Sequence, residues 1–211
     1  MGSICFFNTV TSWGGGEKWH FEVSQYLHSK GIPVFVVGHP KSVLLKKLKN
    51  TDIPYKAIAL SNLSFINPVK RSAVKECLKN RSVDTLILNL SSDVKIAGPI
   101  AKALNIPRII YRRGSAIPVK NTFLNRYIFK NVLTEILANS FATKKTILEN
   151  NPNLFPSDKI TVIYNGVEIP EQLTTTTSNS QKKAITLVNL GRLEFQKNQG
   201  FLLDVAKKLI Q

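Results

Sequence analysis

Two cations, Arg192 and Lys197, stand five residues apart in the stretch VNLGRLEFQKNQGFLLDVAKKL, Val188 to Leu209. The stretch reads as an apolar strand, a short polar loop and an amphipathic helix, which puts both side chains in the loop of a βα unit. Ligands of open α/β sheets sit at that end of the strands. A guanidinium and an ammonium there would be aimed at a phosphorylated ligand. Taken alone, the spacing also fits a solvated basic loop.

Two further clusters have the same character. Gly14, Gly15 and Gly16 lie between an apolar strand and a helix, where small side chains let backbone N–H groups approach an anion at the helix N-terminus. The alternative is a plain flexible loop. A dinucleotide fingerprint is excluded, because GGGEKW lacks GxGxxG and the next strand closes as VFVVGHP without an acid. Glu17 suits the first helical turn, where the dipole favours an acid. Lys18 is either a solvated lysine or a contact for an acidic acceptor. The third cluster, Arg112 and Arg113 in YRRGS, follows a strand and enters a loop. Guanidinium binds phosphate or carboxylate bidentately, and Arg113 is a candidate for that; a surface arginine pair is the plainer reading.

Strands alternate with helices along the chain. ICFFNTV (Ile4–Val10), PVFVVG, YKAIAL, DTLILNL, RIIYRRG, TEILANS and KITVIYNGV read as strands. The helix after the glycines has Phe21, Val23, Tyr26 and Leu27 near helical spacing and Gly31 as its stop. Pro68 opens another, where a missing N–H does no harm. Asp93 is placed to cap VKIAGPIAKALN, with Gly98-Pro99 as a kink, and Ser140 caps FATKKTILENN. Near-continuous apolar strands between helices predict an α/β, doubly wound, mostly parallel sheet covered on both faces. Residues 1–167 form this domain. A Thr/Ser/Asn-rich linker, 168–183, cannot build a core. Residues 184–211 restart the pattern as the first βα unit of a second Rossmann-like domain, which needs more strands to bury its apolar face. The expected whole is a protein of about 350 to 400 residues.

Composition bounds the partners. The 211 residues carry a net charge of +16, and residues 41–145 hold 20 Lys/Arg against 5 Asp/Glu. Such a field attracts nucleic acid, an acidic membrane surface or phosphorylated substrates. In KSVLLKKLKN, Leu44, Leu45 and Leu48 share a helical face with lysines around them, a pattern suited to anionic lipid or to packing on the sheet. No apolar run approaches the roughly 18–20 residues of a membrane span. Cys5 and Cys77 read as reduced core residues, and no metal-ligand spacing is recognisable. Gly2 lacks the Ser or Thr that myristoylation wants four residues on, since Phe6 is there. The N-terminus lacks a signal-peptide charge pattern, so cytoplasmic residence is expected.

Four ordered segments resemble family 4 glycosyltransferases of the GT-B fold. They are SWGGGEKWHFEVSQYLHSKGIPVFVVG, EILANSFATKKTIL, KITVIYNGVEIP and LGRLEFQKNQGFLLDVAKKL. The resemblance implies an enzyme that moves a sugar, with retained configuration, from a nucleotide-sugar donor to an envelope polysaccharide or lipid-linked glycan, on the inner face of the cytoplasmic membrane. It implies donor-diphosphate contacts at Arg192, Lys197, Gly15 and Gly16, acceptor-side contacts at Arg112, Arg113 and Lys18, and no metal or cofactor beyond the nucleotide sugar. Many relatives carry a histidine near YRRGS; here His20, His28 and His39 lie elsewhere in the sequence. Asn165-Gly166 resembles a family turn, with a conformational role through positive φ. The 211 residues alone are expected to be inactive. The rival readings are a non-catalytic relative that binds glycan or anionic lipid, and a nucleic-acid-binding protein. The second lacks any helix-turn-helix, zinc or RNA-reading signature, and no nucleic-acid partner is expected.

In a protein carrying the whole second domain, Arg192→Ala with Lys197→Ala should abolish turnover and leave the circular dichroism spectrum intact. Unchanged turnover would remove the diphosphate-clamp assignment.

Overall fold

The computed structural model describes residues 2–167, 187–191, 193 and 195–210. By their internal contacts the residues divide into two units, Met1–Val167 and Glu168–Gln211. The proposed linker lies outside the described residues, and so does Arg192.

The first unit is a seven-stranded sheet in the order β3-β2-β1-β4-β5-β6-β7, with every neighbouring pair parallel. Its strands are β1 (Ser3–Asn8), β2 (Val34–Gly38), β3 (Tyr55–Ala57), β4 (Val83–Leu88), β5 (Arg108–Arg113), β6 (Glu135–Ala138) and β7 (Ile160–Val162). Its helices are α1 (Gly15–Ser29), α2 (Val43–Leu48), α3 (Pro68–Lys79), α4 (Ser91–Ala103), α5 (Phe123–Asn131) and α6 (Phe141–Leu148). The chain winds outward from β1 through α1 and α2 to β3. It then returns through α3 to β4 and winds the other way.

Strand side chains alternate between two core layers. Cys5, Phe7, Phe35, Val37, Leu86, Leu88, Ile109 and Tyr111 face the layer that α3, α4, α5 and α6 cover. Phe6, Val34, Val36, Ile87 and Ile110 face α1 and α2. This period-2 division of continuous apolar runs is what burial on both faces requires. Cys5 and Cys77 are free thiols, and burial pushes both upward in pKa.

Several local expectations hold. Gly31 follows α1 at φ 74°, a left-handed position suited to a helix stop. Pro68 occupies the first turn of α3, and the Ser140 side chain accepts from the Thr143 N–H at 3.1 Å. Leu44, Leu45 and Leu48 are buried against β1 and β2, so α2 has packing and not lipid on its apolar face.

Others are corrected. The fully buried positions of α1 are the polar Glu17, His20 and Ser24; of the apolar residues read at helical spacing, Phe21, Val23 and Leu27 pack partly buried on the core layer and Tyr26 is exposed. Helix α4 runs unbroken through Pro99. A Cβ on Gly98 would lie 2.9 Å from Cγ1 of Val132, so that glycine serves close packing of α4 near the end of α5. Asp93 does not cap α4, because Leu90 is the N-cap and Asp93 sits in the helix's first turn. In the second unit, Leu187–Leu190 form no strand, consistent with the lack of a ladder partner among the described residues. A short 3-10 helix (Phe195–Lys197) and α7 (Gln199–Ile210) follow. Among the described residues no helix is long and apolar enough to cross a membrane.

Leu48→Ala should lower unfolding free energy by about 2–5 kcal/mol. Lys46→Gln, on the exposed side of α2, should change it by less than about 0.5 kcal/mol. Urea titration reads both, and equal small effects would contradict the packing role of this face.

Candidate active site at the strand crossover

Strands β1 and β4 are neighbours whose following connections run to opposite faces, so a crevice opens beyond their carboxyl ends. The helices that follow them, α1 and α4, start at this crevice. Four helices of the first unit have side-chain N-caps: Ser42, Asn67, Thr122 and Ser140. The helices α1 and α4 have none, their N-caps being Gly14 and Leu90. Their first N–H groups and positive dipole ends are therefore not taken up by their own cap side chains.

Beneath these termini lies a polar network. Glu17 is buried, and its Oε1 accepts from Nδ2 of Asn8 at 3.1 Å and of Asn89 at 3.3 Å. Both asparagines close apolar strands, and the Asn89 N–H donates to the Phe7 carbonyl, which sets them side by side. With its NH₂ turned to Glu17, Asn89 presents Oδ1 to Nη1 of Arg112 at 3.3 Å. Nη2 of Arg112 donates to Oδ1 of Asn165, also at 3.3 Å. The guanidinium lies 5.1 Å from the Trp19 ring centroid and is 4% exposed. Burial pulls its pKa down, and the nearby Glu17 carboxylate pushes it back up.

Two glycines make room here, one for this arginine and one chiefly for its partner Asn89. A Cβ on Gly16 would lie 2.8 Å from Nδ2 of Asn89 and 3.4 Å from Nη1 of Arg112. A Cβ on Gly114 would fall 2.5 Å from the same Nη1. Gly15 has open space where a Cβ would stand.

The other expected residues are placed differently. Arg112 is a buried network member and not half of a surface pair. Arg113 is turned away from it: its Nη2 donates to the Ile117 carbonyl at 2.5 Å and its guanidinium lies over Tyr111, so it pins the following loop. Lys18 is exposed in a surface ion pair with Glu22 at 3.4 Å, a contact worth little. Neither Asn165 nor Gly166 has positive φ; the asparagine acts through its side chain on Arg112. Lys197 is exposed in the second unit, its Cγ 3.7 Å from where a Gly191 Cβ would stand.

Two buried groups beside the network were not singled out as site residues. Asp93, fully buried, accepts from the Thr9 N–H at 3.0 Å and the Thr9 hydroxyl at 2.5 Å, tying α4 to the end of β1. Desolvation raises its pKa to about 7, against the pull of those two hydrogen bonds. His20 is fully buried, edge-on to Phe6 and Trp19, with both ring nitrogens unpartnered. Burial, and secondarily Arg112, lowers its pKa to about 3. The histidine that seemed remote in sequence therefore stands within electrostatic reach of Arg112. A signal for the asparagines was present: ICFFN and DTLILN each end an apolar strand in the same polar amide.

The seven-stranded, doubly wound parallel sheet has the fold of the amino-terminal lobe of GT-B glycosyltransferases. The family model described as Glycosyltransferase Family 4 matches residues 13–170, and the chain belongs to that family. It is 26% identical over 134 residues to the UDP-N-acetylglucosamine--N-acetylmuramyl-(pentapeptide) pyrophosphoryl-undecaprenol N-acetylglucosamine transferase of Pediococcus pentosaceus, covering 56% of this chain and 36% of that one. Among solved structures it resembles the Anabaena HepE protein in complex with UDP-glucose, with TM-score 0.63, 15% identity, and 79% and 44% of the two chains covered. It also resembles the lipopolysaccharide outer core galactosyltransferase WaaB, with TM-score 0.61, 20% identity, and 80% and 47% covered. The chain thus spans between about a third and a half of the length of these relatives.

Two opposed pH effects on stability should be separable. The raised pKa of Asp93 stabilises the fold below about pH 4, and that contribution is lost as pH rises towards 7. The lowered pKa of His20 stabilises above about pH 6.5, and that contribution is lost as pH falls towards 3. Between pH 4 and 6.5, thermal melts of Asp93→Asn should therefore rise more steeply with pH than those of the parent. Those of His20→Phe should rise less steeply or fall. Parallel curves for all three would contradict both assignments.

Proposed function

We propose that this chain is the acceptor-side lobe, with the opening of the donor-side domain, of an enzyme that moves a sugar from a nucleotide sugar to a lipid-linked or polysaccharide envelope glycan. The family match over residues 13–170 carries the reading. The relatives support it: one acts on a pyrophosphoryl-undecaprenol acceptor, one is a lipopolysaccharide galactosyltransferase, and one holds UDP-glucose. Because the chain spans less than half of each, the 211 residues alone are proposed to be inactive.

Within that reading the crevice receives an anion. The two uncapped helix termini supply N–H groups and positive dipole ends. Among the described residues Arg112 hydrogen-bonds to two neutral carbonyl oxygens at 3.3 Å, the long end for an N–H donor. A phosphate oxygen would offer it a shorter, charge-assisted bond of about 2.8 Å and compete with Asn165 for it. Arg192 and Lys197 are proposed to hold the donor diphosphate, with Gly15 and Gly16 beside it. Arg112 is the acceptor-side cation. The charges that meet the diphosphate are then the protein's own, and transfer is expected to persist in EDTA.

Retention is the proposed stereochemical course. Inverting displacement needs a base posed at the acceptor, and the two carboxylates at this crevice are both buried and engaged: Glu17 by two asparagine amides, Asp93 by Thr9. The departing diphosphate would take the acceptor proton instead. The site is proposed to work on the inner face of the cytoplasmic membrane.

In a protein with both lobes, Arg112→Met should lower kcat/KM about 10²-fold, the scale of losing one transition-state donor. Product anomers read by proton NMR should match the donor's configuration. Full activity in Arg112→Met would remove Arg112 from the site, and an inverted product would overturn retention.

A further inference from the structure

Each helix terminus at the crevice meets an acid of its own chain, Glu17 in the first turn of α1 and Asp93 in that of α4. The two are not equivalent. Both oxygens of Asp93 are taken by Thr9, through its N–H and its hydroxyl. Glu17 gives Oε1 to the amides of Asn8 and Asn89. Its Oε2 stands 3.2 Å from where a Cβ on Gly14 would be, beside the N-cap of α1. That is the same helix end proposed to receive the anion. The hydrogen-bonded chain from Glu17 through Asn89 to Arg112 therefore carries one carboxylate and one guanidinium. The next charges on α1, Lys18 and Glu22, pair with each other at the surface.

A buried guanidinium demands a counter-charge. Burial lowers the pKa of Arg112, and the Glu17 carboxylate opposes that effect, so the two are in electrostatic contact. A phosphate brought to Arg112 competes for the same role. Being negative, it is also disfavoured by the carboxylate already in the pocket. The helix dipole adds to this, because an acid at residue 17 offsets the positive end of α1 that an anion would otherwise meet alone.

We infer that Glu17 is a counter-charge that limits the affinity of this crevice for a diphosphate, satisfying Arg112 between ligands and hastening departure of the bound anion. The inference rests on the proposed reading of the crevice as an anion site. Glu17 acts through Asn89 and through space, and does not touch the reacting atoms. A carboxylate that merely positioned Arg112 would have the opposite signature, since losing it would misplace the arginine and weaken binding. A counter-charge, when lost, tightens it. The diphosphate has two possible sources, a leaving nucleotide and a pyrophosphoryl-linked acceptor, and both present the same charged oxygens.

Calorimetric titration of the 211-residue chain with inorganic pyrophosphate decides between the two. Glu17→Gln keeps an oxygen for both asparagines and should tighten binding about tenfold, the low end for one neighbouring charge. Glu17→Asp keeps the charge and should stay within about threefold of the parent. Glu22→Gln, the same charge loss on the exposed side of α1, should change affinity less than about twofold. Arg112→Met should weaken binding about tenfold. In thermal melts at equal pyrophosphate, the midpoint of Glu17→Gln should rise more than that of the parent, because the anion replaces the lost counter-charge. That measurement also serves if the variant melts low. Uridine diphosphate and geranyl pyrophosphate stand for the two sources, and the gain from Glu17→Gln should appear with the one the crevice takes. Weaker or unchanged binding of all three probes by Glu17→Gln, or no binding by any variant, would overturn the inference. An Arg112→Met variant that binds pyrophosphate as the parent does would remove the anion reading of the crevice, and the inference with it.

Discussion

The reversal of winding between β1 and β4 is the constraint from which the site follows. Neighbouring parallel strands whose connections run to opposite faces leave a slot between them. Two helices begin at that slot without a capping side chain, so their positive dipole ends converge on it, each with an acid, Glu17 or Asp93, in its first turn. The buried charged side chains gather under this point with their partners: Asn8 and Thr9 from the end of β1, Asn89 from the end of β4, Asp93 from α4, Glu17 and His20 from α1, and Arg112 from β5. Elsewhere the two core layers are almost wholly apolar.

The network is arranged by Glu17. Its carboxylate fixes two asparagine amides with their NH₂ groups inward, and Asn89 is thereby left with its carbonyl oxygen towards Arg112. A positive charge buried to 4% exposure is tolerable because a negative one lies in the same pocket, and the path between them is hydrogen-bonded. His20 stays neutral beside the guanidinium, and Asp93 keeps a raised pKa behind Thr9. The interior therefore has one engaged pair of opposite charges and two groups whose ionisation burial resists.

Much of the fold was legible because its signals are one-dimensional. Continuous apolar strands, helix stops such as Gly31 and caps such as Ser140 are local, and they placed the strands within a few residues. The GGGEKW and YRRGS segments were legible as the ends of strands entering loops for the same reason. Helix α1 was legible in part: Phe21, Val23 and Leu27 pack on the core layer, but its fully buried positions are Glu17, His20 and Ser24, polar residues that periodicity assigns to solvent. Arg112 and Arg113 are adjacent in sequence, yet strand alternation sends their side chains to different duties, one into the crevice network and one onto the loop. Asn165 reads as a turn residue until its partner, 53 residues away, is known. Long-range pairing of this kind has no signature in spacing.

The two glycines that flank Arg112 have an evolutionary corollary. With an arginine at 112, position 114 lacks room for a methyl group, while position 16 lacks it because of Asn89, the partner of that arginine. A lineage that shortened the side chain at 112 would release position 114 and let it drift, and position 16 would stay bound to the amide at 89.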